Sequence, residues 1–391
     1  MVPKGFYYAA VKAKIKKWDK EDVGLIISHE PAAATAVFTT NRVKAAPVLL
    51  SQANLKNRAH RAIIVNSGNA NAATGKTGTK NAAATVEAVA RNLGIKTGEV
   101  LIASTGVIGL QLPMEKILGA APQLAQSLGN DPAPFTRAIM TTDTRPKEAS
   151  ARMAIGGKTI TVWGCAKGAG MIHPNMATML AFTLTDAAIA KPVLQAALAE
   201  AAKHTFNRLT IDGDTSTNDT LILLANGAAG NKPVAKGSAD YKKFVAALTD
   251  VCAKLSEMIV GDGEGVTRIA EIKVEKAKNE NEALAVARAV AGSLLVKTAL
   301  HGGDPNWGRI ICAAGYSGVP VDPEKMELYF GKHAAYKNGL PAKTSEEILA
   351  AEMKKKKVLM RLVLNRGTAS TSYIFCDLSR EYVTINADYR T

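Results

Sequence analysis

The chain has 391 residues, of which 47% are hydrophobic and 21% are charged. This balance excludes an intrinsically disordered protein, and the length is enough to bury a core without disulfides or metals. No apolar run approaches the ~18 residues of a membrane span. The first 20 residues lack the apolar core of a signal peptide, so we expect a soluble, cytoplasmic protein with no membrane partner. The four cysteines form no CxxC pair, which indicates neither a zinc ribbon nor a disulfide framework.

The net charge is +15, from 49 basic and 34 acidic residues. Such a charge attracts anionic partners. Aromatic residues make up only 5% of the chain, and no zinc-finger, helix-turn-helix or RNP-like signature is present, so we do not expect nucleic-acid binding. Small anionic substrates, such as amino-acid carboxylates, fit the same charge.

The first half of the chain mixes predicted strands and helices. Alternating or continuous apolar runs predict strands at 8–15, 23–27, 35–39, 62–65 and 100–103. Helices are predicted at 79–93, where Gly94 supplies the stop, and from Pro113 to about Leu128. Two extended runs on either side of Gly156 and Gly157 predict a hairpin.

The second half repeats this mixture. Strands are predicted at 179–184, 221–225 and 266–274, and helices at 192–206, 241–259 and 282–297. The runs 359–364 and 373–376 are predicted to pair across the turn 365–367, and residues 383–387 alternate like a strand that docks on a sheet. The many antiparallel signals favour a layered α+β or α/β sandwich over a doubly wound sheet, and no linker predicts a domain boundary.

The most unusual segment is the glycine-rich stretch 167–180, KGAGMIHPNMATML, which links two predicted strands. Thr178 stands where the second strand opens. Its hydroxyl could attack the carbonyl of Ala177, and an N-to-O acyl shift would then release a new N-terminal threonine. The freed α-amino group, with an ordinary pKa of ~8, could deprotonate the hydroxyl. The residues alone leave this open and favour an ordinary buried threonine at a junction between loop and strand.

Three further loops could hold ligands. Ser104–Gly106 follows a buried strand and could present backbone N–H groups to an oxyanion. Gly261–Gly265 lies between a helix and a strand but lacks the Gly-Lys-Ser/Thr of a phosphate loop. The acidic stretch Asp212–Asp219 has the spacing of a calcium loop without its distal glutamate or flanking helices, so we expect a turn there. His173 has no second histidine at metal spacing, and no metal site is predicted.

Several segments, in order through the whole chain, resemble the ornithine acetyltransferase (glutamate N-acetyltransferase) family. The junction at 167–180 is one of them, and the others are Asn66–Asn71, Ser104–Gly109, Thr141–Thr144, Gly261–Gly265 and Asp304–Arg309. A series of this kind, spaced over the full length, is highly specific. It reverses the interpretation of Thr178 in favour of a nucleophile.

The resemblance implies a self-cleaving enzyme. The precursor would cut itself between Ala177 and Thr178 into an α chain, 1–177, and a β chain, 178–391, which form one intertwined catalytic unit and assemble as an α2β2 heterotetramer. The implied fold is a layered α/β sandwich that is shared with the β-aminopeptidases and is similar to the N-terminal nucleophile hydrolases, with a different connectivity. The implied reaction moves an acetyl group from α-N-acetylornithine to glutamate in arginine biosynthesis, with no metal or organic cofactor.

The resemblance also implies roles for individual residues. Thr178 would be the nucleophile, and Thr105 and Gly106 would form the oxyanion hole. The residues implied to contact substrate are Thr144, Lys167, Thr178, Glu264, Asn386 and Thr391. Some members of the family also use acetyl-CoA to acetylate glutamate, and no motif decides this for the present chain. A hydrolase or β-aminopeptidase on the same scaffold and a non-catalytic binding protein are the alternatives.

Overall fold

The computed structural model describes residues 1–173 and 179–388. The strands in these ranges are β1 (Phe6–Val11), β2 (Val23–Phe38), β3 (His60–Asn66), β4 (Val100–Ser104), β5 (Lys147–Ile155), β6 (Lys158–Lys167), β7 (Leu180–Thr185), β8 (Leu209–Thr210), β9 (Thr220–Ala225), β10 (Ile269–Ala277), β11 (Glu327–Phe330), β12 (His333–Lys337), β13 (Leu340–Pro341), β14 (Lys357–Val363) and β15 (Ala369–Cys376). The helices are α1 (Ala46–Asn54), α2 (Gly75–Leu93), α3 (Met114–Gln126), α4 (Ala133–Ala138), α5 (Lys191–His204), α6 (Ala239–Val260), α7 (Glu280–Gly292), α8 (Leu294–Gly302), α9 (Trp307–Gly315), α10 (Glu346–Met353) and α11 (Arg380–Asp388).

The described residues divide into two compact units. The first comprises 1–207 and 214–259, and the second comprises 208–213 and 260–388. Each unit has its own sheet packed with helices, which confirms the predicted α/β class. The chain passes from one unit to the other three times, and for this reason no single linker in the sequence marks the division.

The sheet of the first unit has the order β4-β3-β2-β9-β7-β6-β5, and β1 also pairs with β2. Strand β2 is one strand of 16 residues, so the prediction of two separate strands at 23–27 and 35–39 was wrong. Its first half pairs with β1 and β3, and its second half, from Ala33 to Phe38, pairs with β9. Pro31 lies between the two halves, where a residue without an N–H breaks no recorded strand pairing.

Local signals were accurate at several points of this unit. The hairpin of β5 and β6 turns at Gly156 and Gly157, whose φ angles of 55° and 74° suit a two-residue turn. Helix α2 ends at Gly94, which adopts the left-handed conformation with φ 64°. Helix α5 begins with a proline in its first turn. These elements confirm the predicted positions within a few residues.

The sheet of the second unit has the order β13-β12-β11-β14-β10-β15-β8. The predicted pairing of 359–364 with 373–376 was therefore wrong, because β10 lies between β14 and β15. Strand β10 runs parallel to β14 and antiparallel to β15. The turn crosses the end of β10, and the N–H groups of Arg366 and Gly367 donate to the carbonyl of Lys276 at 2.7 and 2.9 Å. Ile272 and Val274 of this inserted strand are fully buried, and its backbone is paired on both sides.

Two further predictions were wrong: one predicted helix is two helices, and one predicted strand is a helix. The predicted helix 282–297 is two helices, α7 and α8, because the hydroxyl of Ser293 accepts from the N–H of Val296 at 3.3 Å and caps a new helix. No single helix in the described ranges is long and apolar enough to cross a membrane; α7 and α8 reach that length and composition only together, at a bend of 59°. Residues 383–387 lie in helix α11 and do not form a docked strand, since the Ser379 hydroxyl accepts from the Tyr382 N–H at 3.1 Å and starts a helix.

Candidate active site

The turns that follow β3 and β4 form one side of the candidate site. These strands are parallel neighbours, with Asn66 opposite Ser104, so both turns leave the same edge of the sheet. The Ser104 hydroxyl donates to Oδ1 of Asn66 at 2.6 Å, and Nδ2 of Asn66 donates to the carbonyl of Asn69 at 2.8 Å. Two segments of the predicted family pattern, 66–71 and 104–109, are thereby held together.

Thr105 and Gly106 lie in the second of these turns. The N–H of Thr105 donates to the carbonyl of Asn66 at 3.0 Å, so this N–H is not free for a ligand. Gly106 has a φ of 131°, and a Cβ atom there would lie 2.3 Å from the carbonyl carbon of Gly68, so only glycine fits. Within the described ranges, the N–H of Gly106 has no acceptor. The side chain of Thr105 and the backbone of Gly106 are therefore the groups that this turn offers to an oxyanion.

Lys167 brings a positive charge to this turn. It is the last residue of β6 and is 4% exposed, and its Nζ donates to Oγ1 of Thr105 at 3.2 Å. A hydroxyl that accepts from an ammonium group keeps its own proton to donate. In the described part of the chain no acceptor is recorded for that proton. The contact therefore orients the Thr105 hydroxyl as a hydrogen-bond donor.

Asp143 connects three segments behind Lys167. Its Oδ1 accepts from Nζ of Lys147 at 2.6 Å and from the N–H of Gly168 at 2.7 Å, and its Oδ2 accepts from the N–H of Thr141 at 3.0 Å. The side chains of Asp143 and Lys147 form a salt bridge, and both are fully buried. Burial acts to raise the pKa of Asp143, but the charges of Lys167 and Lys147 and these hydrogen bonds outweigh it and lower the pKa to about 2. The Asp143 carboxyl is therefore ionised, and its hydrogen bond to the N–H of Gly168 fixes the backbone directly after Lys167.

Lys20 is a further cation near Asp143. Nζ of Lys20 donates to the carbonyl of Met140 at 2.6 Å, and burial together with the nearby charge of Lys167 lowers the pKa of Lys20, against the opposing attraction of Asp143. Lys20, Lys147 and Lys167 lie around the ionised Asp143, and Asp22 and Glu21 also attract the charge of Lys20. Lys167 is the positive charge of this group that contacts the turn of Thr105, where an anionic group of a ligand would be attracted. Thr144, the next residue of this loop, is exposed to solvent.

The start of β7 is held from the opposite side. The N–H of Met179 donates to Oδ1 of Asp219 at 3.0 Å, and the N–H of Thr220 donates to the carbonyl of Met179 at 3.1 Å. In the ladder between β6 and β7, Lys167 is opposite Leu180. The two ends of the glycine-rich loop therefore lie side by side at one edge of the sheet.

Two of the expected substrate residues belong to the second unit. Glu264 is 7% exposed, and its Oε2 accepts from Nδ2 of Asn386 at 2.9 Å. Gly265 allows this approach of α11, because a Cβ atom there would lie 2.5 Å from the backbone nitrogen of Tyr382. The predicted pair Glu264 and Asn386 is thus in direct contact.

The remaining predicted residues are Ala177, Thr178 and Thr391, and they lie outside the described residues. No role was predicted for Asp143, Lys147 or Asp219. Asp143 lies in the recognised segment 141–144, in which only Thr144 had been assigned a role. Lys147 could not be distinguished from a surface lysine, and Asp219 lay in a stretch interpreted as a turn, because burial depends on strands that are remote in sequence.

An enzyme of acyl transfer needs three groups around its reacting carbonyl: a hydroxyl donor, a backbone N–H and a positive charge. The turn of Thr105 and Gly106, together with Lys167, offers these three groups.

The ArgJ family matches residues 7–391. The arginine biosynthesis bifunctional protein ArgJ of Dehalococcoides mccartyi is 48% identical over 392 residues, which cover 100% of this chain and 96% of that protein. The protein of the same name from Thermotoga neapolitana is 46% identical over 396 residues, with 100% of both chains covered.

A solved structure gives a third comparison. The crystal structure of the arginine biosynthesis bifunctional protein argJ from Bacillus halodurans is 42% identical, covers 53% of this chain and 98% of that chain, and has a TM-score of 0.52. The chain therefore belongs to the ArgJ family. This confirms the predicted ornithine acetyltransferase family, and with it an enzyme of arginine biosynthesis.

Proposed function

We propose that this enzyme moves an acetyl group from α-N-acetylornithine to glutamate by way of an acetyl ester on Thr178. The observation that carries the proposal is the contact between Lys167 and Thr105, which brings a positive charge to a threonine hydroxyl. The N–H of Gly106 follows in the same turn and has no acceptor among the described residues. Thr178 comes only two residues before Leu180, the partner of Lys167 across the sheet. The described chain resumes at Met179, the residue after the proposed nucleophile, next to the end of β6.

The enzyme would first cut its own chain. The Thr178 hydroxyl attacks the carbonyl of Ala177, the peptide C–N bond breaks, and the Thr178 nitrogen takes up the hydroxyl proton. This step frees the α-amino group of Thr178, and water then hydrolyses the ester to release the carboxylate of Ala177 and restore the Thr178 hydroxyl. That amine is the base that the nucleophile needs, so no histidine is required.

Acetyl transfer would follow in two steps. The amine of Thr178 takes the hydroxyl proton while the oxygen attacks the acetyl carbonyl, and ornithine leaves with that proton. The α-amine of glutamate then attacks the acetyl ester, the C–O bond to Thr178 breaks, and one proton of the glutamate amine passes through the Thr178 amine to the Thr178 oxygen as acetylglutamate leaves. In both steps the developing oxyanion would accept from the Thr105 hydroxyl and the Gly106 N–H. Lys167, Thr144 and, in the second unit, Glu264 and Asn386 would bind the charged ends of the amino acids, with Thr391.

The strand order supports association of the two fragments after cleavage. The first sheet contains β7 and β9 from the proposed β chain between β2 and β6 of the proposed α chain. Six residue pairs join β2 to β9 and six join β6 to β7. A cut between Ala177 and Thr178 breaks none of these ladders. The cleaved enzyme would therefore remain one folded unit.

The solved relative is compatible with a cleaved chain. Almost all of that chain, 98%, aligns with 53% of the present one. The proposed β chain has 214 of the 391 residues, or about 55%.

We propose that the two fragments assemble as an α2β2 heterotetramer in the cytoplasm. The word bifunctional in the names of the relatives also supports a second activity, the acetylation of glutamate by acetyl-CoA, which release of CoA in the presence of glutamate would test.

The decisive experiment follows the acetyl group of acetylornithine with and without glutamate. Acetylglutamate formed only when glutamate is present supports the proposal. Acetate formed at the same rate with or without glutamate would identify a hydrolase on the same scaffold. An intact chain that transfers no acetyl group to either acceptor would leave a binding protein as the remaining alternative.

A further inference from the structure

Asn218 is a buried side chain that the mechanism above does not use. It is 5% exposed and lies two residues before β9. Its Nδ2 donates to the carbonyl of Ala70 at 2.7 Å and to the carbonyl of Ser104 at 2.8 Å. The Thr217 hydroxyl donates to its Oδ1 at 2.6 Å, which fixes the orientation of the amide group. Both N–H groups of the Asn218 side chain therefore have an acceptor.

The carbonyl of Ser104 belongs to the peptide unit that leads into the turn of Thr105 and Gly106. The N–H of the same unit, which is that of Thr105, donates to the carbonyl of Asn66 at 3.0 Å. A peptide unit is planar, so hydrogen bonds at its oxygen and at its nitrogen together oppose its rotation. The backbone from which the Thr105 side chain projects is thereby fixed.

The carbonyl of Ala70 holds the other end of this turn. The N–H of Ala70 donates to the carbonyl of Val107 at 3.0 Å, and Val107 directly follows Gly106. The amide of Asn218 thus holds the backbone on both sides of the turn. Gly106 needs this restraint, because a glycine with a φ of 131° has further backbone conformations within reach.

The residue after Asn218 connects the same segment to β7. Oδ1 of Asp219 accepts from the N–H of Met179, next to the start of β7, at 3.0 Å. Two consecutive side chains therefore hold the turn after β4 and the start of β7. Both belong to the proposed β chain, whereas the two carbonyls that bind Asn218 belong to the proposed α chain.

We infer that Asn218 is a positioning residue for the proposed oxyanion hole, whose amide group holds the backbone on both sides of Thr105 and Gly106 and so fixes the direction of the two donors. The inference rests on the proposed function. Asn218 is not itself a donor to the oxyanion, because both of its N–H groups are used. Donors that are placed before the reaction stabilise the transition state most, so a loosened turn should slow the reaction more than it weakens substrate binding.

The test compares Asn218→Ala with the wild-type enzyme, with kcat expressed per cleaved chain. Loss of one oxyanion donor lowers kcat by about 10²–10³-fold, and we expect misplaced donors to lower it at least about tenfold, with KM changed less than about threefold. The matched control is Asn231→Ala. Asn231 is a buried asparagine of the same unit that holds a different loop, and its Nδ2 donates to the carbonyl of Lys232 at 2.8 Å. Its substitution should lower stability with little change in kcat.

A second comparison separates a role in the turn from a role in the fold as a whole. If Asn218 acts through Thr105, the effects of the two substitutions on kcat are not additive. Asn218→Ala should therefore lower kcat by a factor that is at least about threefold smaller in a Thr105→Val background than in the wild-type enzyme. A purely structural role would give the same factor in both backgrounds.

Three kinetic results would overturn the inference: wild-type kcat in a cleaved Asn218→Ala variant, a loss confined to KM, or an equal loss of kcat in both backgrounds. If the alanine variant does not fold, Asn218→Ser, which keeps one donor, is judged by the same criteria. Failure of both variants to fold, with Asn231→Ala folded, would assign Asn218 to the stability of the fold and would also overturn the inference. Wild-type kcat in Thr105→Val would instead contradict the oxyanion role in the proposed function, and that result needs no change at Asn218.

Discussion

Lys167 and Thr105 are 62 positions apart in the sequence, and Nζ of the first donates to Oγ1 of the second at 3.2 Å. Both residues are buried. The hydrogen bond leaves the hydroxyl proton of Thr105 directed away from the lysine, and the N–H of Gly106 follows in the same turn.

The Thr105 hydroxyl should act in the transition state. Thr105→Val keeps the shape of the side chain and removes the donor, so we expect kcat to fall by about 10²–10³-fold with little change in KM. Thr105→Ser, which keeps the hydroxyl, is the matched control and should retain most of the rate. Steady-state kinetics with acetylornithine and glutamate measure both. A loss confined to KM would contradict an oxyanion role.

The purified protein should contain two polypeptides. Cleavage between Ala177 and Thr178 divides the mass of 41.1 kDa in proportion to 177 and 214 residues, which gives about 19 and about 22 kDa. Mass spectrometry under denaturing conditions should find both fragments, with threonine at the N-terminus of the larger one. Thr178→Ala should give one uncut, inactive chain. A Thr178→Ala protein that is still cut at this bond would exclude Thr178 as the attacking group.

The acetyl group should rest on the larger fragment between donor and acceptor. We expect ping-pong kinetics, because ornithine leaves before glutamate reacts. Brief incubation with acetylornithine alone should add the mass of one acetyl group to the 178–391 fragment, and added glutamate should remove it. Intersecting kinetics together with an unlabelled fragment would argue for direct transfer.

The buried pair of Asp143 and Lys147 should matter for stability. Removing one partner of such a pair leaves an uncompensated charge and costs roughly 3–5 kcal/mol in the free energy of unfolding. We therefore expect Asp143→Asn to be destabilised by about this amount at neutral pH. The double variant Asp143→Asn/Lys147→Met removes both charges and should recover most of it, as measured by denaturant unfolding. Equal losses in the single and the double variant would show that the pairing is not the cause.

The same aspartate gives a pH dependence with a defined sign. The pKa of Asp143 is about 2 in the folded protein and about 3.8 in its ordinary state. The ionised form therefore stabilises the fold above pH 3.8, and this stabilisation is lost as the pH falls from about 4 to about 2. Over this window the stability of Asp143→Asn should fall less steeply than that of the wild-type protein. Parallel curves would contradict the lowered pKa.

Asn386 should contribute to substrate binding more than to folding. It is exposed on α11 and donates to Glu264 at 2.9 Å. We expect Asn386→Ala to raise KM about tenfold, equivalent to about 1.4 kcal/mol, with a change of unfolding free energy below about 0.5 kcal/mol. Thr384→Ala, an exposed position on the same helix, is the control. An unchanged KM for both substrates would remove Asn386 from the site.

Much of the local structure could be predicted from the sequence. Gly94 ends α2 and the Gly156–Gly157 pair turns the hairpin, since both depend on backbone conformations that few other residues adopt. The ordered segments from 66–71 to 304–309 were enough to predict the family. The contact of Glu264 with Asn386 joins two residues that the family pattern had already named.

The tertiary structure alone decided which strands are neighbours and which charges are buried. Strand β10 separates β14 from β15, because the order of strands depends on what packs against each segment. The burial of Lys147 and of Asp219 left no local trace in the sequence. The physical reason is that turns and caps are fixed by neighbours a few residues away. The energy of a buried charge is fixed by strands that lie tens to hundreds of residues distant along the chain.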